Sequence, residues 1–97
     1  MVGEICKAIE QQKIIEFYYD NRSRVVEPYC LGESSRGNVL LRAYQIGGES
    51  SSGNPIGWRL YDLSKLSNLE ITTQKFSLIQ PDYNPVDRGM VKIICNL

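Results

Sequence analysis

Histidine is absent from all 97 residues, which removes the commonest general base and leaves any serine or cysteine nucleophile without its usual partner. Zinc chemistry loses ground for the same reason. The three cysteines, Cys6, Cys30 and Cys95, are widely spaced and form no C-x-x-C, so they read as buried free thiols, with no metal site and no cofactor expected. Net charge is also absent. Eleven basic residues balance eleven acidic ones, which excludes coating nucleic acid by bulk electrostatics but leaves room for a local basic pocket. No apolar run approaches membrane-spanning length, and Met1-Val2-Gly3-Glu4 lacks the basic start of a secretory signal, so a cytoplasmic chain without membrane contact is expected. Ser50-Ser51-Ser52-Gly53 is not followed by G-K-[ST] and reads as a linker, not a phosphate loop. Asp20, Asp62, Asp82 and Asp87 show no spacing that pairs an acid with a base. The reading is of a protein that is not an enzyme.

What is present is a β pattern behind one short helix. Val2, Ile5, Cys6 and Ile9 recur at helical spacing, predicting an amphipathic helix over residues 2 to 12. From Lys13 the period becomes two. Ile15, Phe17 and Tyr19 alternate with polar neighbours, Asp20-Asn21-Arg22-Ser23 supplies a turn, and residues 24 to 29 return as a second strand, with Pro28 placed at a strand end or edge. A third strand follows over 39 to 44, with Val39, Leu41 and Ala43 on one face and Leu40, Arg42 and Tyr44 on the other. Residues 47 to 57, rich in glycine and serine, read as a mobile excursion. A fourth strand begins at Trp58, a fifth lies near 69 to 72, Phe76 reads as a core anchor, and Val91, Ile93, Cys95 and Leu97 alternate in a terminal strand. Length sets one domain over 1–97. The predicted fold is mainly β, a small closed or nearly closed barrel of about five to six short antiparallel strands with an N-terminal helix.

Two arginines stand inside apolar β-patterned runs, Arg24 in Arg24-Val25-Val26-Glu27-Pro28 and Arg59 in Arg59-Leu60-Tyr61. A guanidinium withdrawn from water needs a partner, either an acidic ligand or a carboxylate of the same chain. Glu27 or Glu16 is the candidate partner for Arg24, and Asp62 or Glu70 for Arg59. Both alternatives stay open on the sequence. An arginine fork grips phosphate oxygens in a bidentate manner and stacks on bases, and Tyr19, Tyr44 and Tyr61 would add stacking surfaces. Arg42 and Lys65 are candidates for the rim. An assembly module, using edge strands or the terminal strand to bind itself or a regulatory protein, is the rival reading.

Ala8-Ile9, Ile15-x-Phe17-x-Tyr19, Arg24-x-Val26-Glu27-Pro28-x-x-Leu31, Ala43-Tyr44 and Arg59-x-Tyr61-x-Leu63-x-Lys65-Leu66 together resemble the WYL domain, a bacterial regulatory module with an Sm-like (Src-homology-3-type) barrel. The resemblance covers residues 5 to 76, with 80 to 97 as a C-terminal extension. The naming tripeptide is replaced by Val39-Leu40-Leu41, a second basic residue by Asp62, and a more usual phenylalanine by Tyr61. The resemblance implies a ligand sensor that binds a nucleotide or short single-stranded nucleic acid on Arg24 and Arg59. With no winged helix ahead of the domain, promoter recognition is not implied.

Overall fold

The computed structural model describes residues 1–50 and 53–97, so Ser51 and Ser52, within the predicted excursion, lie outside the described residues. Helix α1 (Val2–Glu10) buries Ile5, Ala8 and Ile9 on one stripe, as its periodicity dictates. It ends where Gln12 turns left-handed (φ 52°), and the Gln12 side-chain amide donates to the Phe76 carbonyl. Strands β1 (Lys13–Tyr19) and β2 (Arg22–Glu33) form a hairpin through Asp20 and Asn21, both with positive φ (53° and 58°). That left-handed pair matches the twist of the flanking strands, so β2 starts at Arg22, inside the predicted turn. Strands β3 (Val39–Gly48) and β4 (Gly57–Asp62) follow, then a 3-10 turn (Leu63–Lys65), β5 (Leu66–Lys75) and β6 (Lys92–Asn96).

The six strands form one antiparallel sheet in the order β4-β3-β2-β1-β5, with β6 paired to β2. This overturns the closed barrel expected from the sequence. The path runs from β4 to β5 without joining its ends, and the terminal strand that was available to close it pairs instead with Cys30–Glu33 of β2. Strand β2 is long enough to serve two partners in succession, β1 as far as Val26 and β6 from Cys30 onward. Pro28 lies in the gap between them, inside β2 and fully buried, where the missing N–H takes no bond away from either neighbour. On that side β2 is locally an unpaired edge, the second of the two positions expected for Pro28.

Each face of the sheet carries its own core. On the first, Ile15, Phe17, Val26, Leu41, Ala43 and Tyr61 form one cluster with Ile5, Ala8 and Ile9 of α1. On the second, Ile14, Tyr29 and Phe76 pack with Tyr44, Trp58 and Tyr83, the last from the segment that leads into β6. Cys6 of α1 is disulfide-bonded to Cys95 of β6, so only Cys30 remains a free thiol, and it is buried. The expectation of three free thiols fails because the first helix and the last strand fold against the same end of β2. Among the described residues no helix is long and apolar enough to cross a membrane.

Candidate functional site

Strand alternation decides which predicted residues meet. Ala43 pairs with Arg59 and Leu41 with Tyr61 across β3 and β4, while Arg42 pairs with Leu60 and Tyr44 with Trp58. Arg59 and Tyr61 therefore belong to the first face, and Arg42 and Tyr44 to the second.

Arg24 is the centre of the first-face group. It is 4% exposed, and no carboxylate lies within ion-pair distance of it among the described residues. Its guanidinium carbon sits 5.8 Å from the Tyr19 ring centroid and 5.9 Å from that of Tyr61, a cation held between two aromatic faces. Its polar contacts are long and neutral: one terminal nitrogen donates to Gln45 Oε1 at 3.4 Å and the other to the Tyr19 carbonyl at 3.4 Å. The buried Nε–H has no acceptor among the described residues. Glu27, the partner considered for Arg24, instead accepts bonds from the Tyr29 hydroxyl and the Gln80 amide.

Gln45 organises this group. Fully buried, it accepts from the Tyr61 hydroxyl at 3.2 Å and from Arg24, while its amide nitrogen donates to the Gly47 and Glu49 carbonyls. Every hydrogen-bonding position of that side chain is therefore held, which fixes Oε1 between the two groups. Sequence reasoning passed over Gln45, although an amide continuing the apolar series Leu41, Ala43 was the signal available. Tyr19 crosses Tyr61 edge to face at 5.0 Å and its hydroxyl accepts from the Asp62 amide at 3.1 Å, so both rings are locked. Burial pushes the Tyr61 phenol above its ordinary range, and the charges of Arg24 and Arg59 oppose that rise.

Arg59 is only partly buried and has neither Asp62 nor Glu70 as an ion-pair partner. It donates to two backbone carbonyls, those of Trp58 at 3.0 Å and Asn54. Carbonyl dipoles satisfy its protons without cancelling its charge. Arg24, Tyr19 and Tyr61 are thus brought together, and Arg59 shares their sheet face.

The remaining predicted residues are not. Arg42 forms a bidentate pair with Asp87, Nε to Oδ2 at 2.7 Å and Nη2 to Oδ1 at 3.1 Å. The bonds from Arg42 hold the Asp87 carboxyl below its usual range, against the opposing effect of burial. Tyr44 meets Trp58 edge to face at 5.3 Å on the same second face. Lys65 is exposed in the 3-10 turn that Asp62 caps through the Ser64 amide. No family model, no curated protein and no solved structure matches the chain, so its likeness to WYL domains rests on the quoted residues alone.

Proposed function

We propose that this chain is a non-enzymatic regulatory domain that binds an anionic ligand, a nucleotide or a short single strand of nucleic acid, on Arg24 and Arg59. The observation that carries this reading is a buried guanidinium without a counter-charge among the described residues. Keeping such a cation out of water costs several kcal/mol, roughly, and an anion completing the site would offset that cost. An incoming phosphate would supply Arg24 with the missing charge and give its orphan Nε–H an acceptor. Arg59 would exchange the Asn54 carbonyl for a phosphate oxygen, and the partly buried Tyr19 would offer a ring edge to a base. The likeness to WYL domains at these same two arginines points the same way.

Titration of labelled short single strands and a nucleotide panel at two salt concentrations tests this. We expect saturable binding that weakens with salt as counterions are released, and a loss of about tenfold or more in Arg59→Ala. Absence of binding to every member of the panel, with a defined oligomer in light scattering, would instead favour the assembly reading, for which the unpaired outer edges of β4 and β5 are the available surfaces. A cytoplasmic setting would keep Cys6 and Cys95 reduced, whereas an oxidising compartment would retain their bridge. Thiol counting on protein taken directly from cells distinguishes the two settings.

A further inference from the structure

The second face of the sheet holds a separate cavity of about 250 Å³, lined in part by Trp58 and Tyr83 and by the charged side chains of Arg42, Asp82, Asp87 and Arg88. Its volume falls below the roughly 300 Å³ at which sites for drug-sized ligands begin, which limits an occupant to one ring system with short substituents. Its aromatic wall is rigid. Trp58 and Tyr83 lie near parallel, 24° apart with centroids 6.1 Å from each other, and Tyr29 and Tyr44 brace Trp58 edge to face at 4.8 and 5.3 Å. The indole Nε1–H is buried without an acceptor among the described residues. Of the four charges, Arg42 and Asp87 neutralise each other through two hydrogen bonds. Asp82 and Arg88 are exposed and have no ion pair among the described residues, which leaves one anion and one cation at the rim.

We propose that this cavity binds a small aromatic zwitterion, a free amino acid with a planar side chain. The ring lies against the Trp58 and Tyr83 wall, the ammonium group faces Asp82, and the carboxylate faces Arg88. Complementarity to the rim points to this class: a zwitterion can meet both Asp82 and Arg88, whereas a ligand with one charge meets only one of them. An uncharged ring would use neither. The cavity lies on the opposite sheet face from Arg24, so the proposal is independent of the anion site.

Trp58 is the chain's only tryptophan, so its emission reports on this wall alone. With excitation beyond the absorption of phenylalanine, the intact protein is titrated with phenylalanine, leucine, phenethylamine and 3-phenylpropionate, and calorimetry is run in parallel. Phenylalanine is expected to give a saturable change, and loss of either charged group to weaken binding about tenfold. Asp82→Asn should then weaken phenylalanine and phenethylamine but not phenylpropionate, and Arg88→Gln should do the reverse. Both positions are exposed, so neither variant threatens the fold. The proposal is overturned if neither emission nor heat saturates with phenylalanine, if leucine binds as well, or if the variants fail to discriminate between the amine and the acid.

Discussion

Arg24 and Cys30 show how differently one residue can relate to its surroundings. Arg24 is a charge that the fold tolerates without neutralising, whereas Cys30 is a thiol that the fold prevents from becoming charged. Replacing an isolated buried cation by an apolar chain of similar length removes a desolvation penalty, so Arg24→Met should unfold in urea at equal or higher free energy, by up to about 2 kcal/mol, while losing anion binding. A loss of stability beyond that size would make the guanidinium a structural group. Burial pushes the Cys30 thiol up to about 11, with Asp87 adding to the rise and Arg42 opposing it. In the unfolded chain a thiol ionises near about 8.5. Above that pH the unfolded state has released a proton that the native state keeps, so stability is whole below it and declines as pH rises toward the folded value. Urea unfolding between about pH 8.5 and 10 should show a fall of up to about 1.4 kcal/mol per pH unit, before the tyrosines titrate. Cys30→Ala should flatten that slope.

Among the elements, the pairing of β2 with β3 governs the arginine site. Arg24 stands opposite Gly48, and a register shift between Val25 and Val26 brings Gln45 opposite Val26. That bulge turns the end of β3 so that the Gln45 amide reaches the Gly47 and Glu49 carbonyls. Gly48 is essential to this geometry. Its φ is +85°, and a Cβ there would collide with the Ser23 carbonyl and the Arg24 backbone. Gly48→Ala should therefore destabilise by about 1 to 3 kcal/mol in denaturant titration and weaken anion binding, because strain and collision fall on the residue next to the guanidinium. An unchanged melting curve would show that the end of β3 is free to move. On the other side of β2, Gly32 admits the Lys92 carbonyl and Met90 side chain at close range, which is how β6 comes to lie beside it.

For the molecule as a whole, the Cys6–Cys95 bridge closes a loop with a sequence separation of 89, joining α1 to β6. A cross-link over so long a stretch restricts the unfolded chain strongly, so reduction, or the variant Cys95→Ser, should cost about 2 to 5 kcal/mol in unfolding experiments. Identical unfolding with and without reductant would mean that packing alone holds β6 in place. Because the sheet is open, the outer edges of β4, β5 and β6 are unpaired among the described residues. The outer edge of β5 carries Glu70 and Lys75 and is mostly polar, a composition that discourages uncontrolled pairing.

The sequence by itself determined the elements and the alternation within them. Periodicity located α1 and most of the strands, because side-chain alternation is a local property of the backbone, but only the pairing of β3 with β4 put Arg59 and Tyr61 on one face and Arg42 and Tyr44 on the other. The residue class of the candidate site was also legible: Arg24 and Arg59 stood out as cations in apolar runs. Tertiary structure decided what depends on partners distant in the chain. The sequence left β6 free to close a barrel, and only packing assigned it to β2; the same packing brought Cys6 to Cys95 and gave Arg42 to Asp87, 45 residues away. Alternation tells which way a side chain points but not what it meets there. Arg24 without a carboxylate and Gln45 between two hydrogen-bond donors are therefore findings of the fold, set by register and bulge rather than by composition.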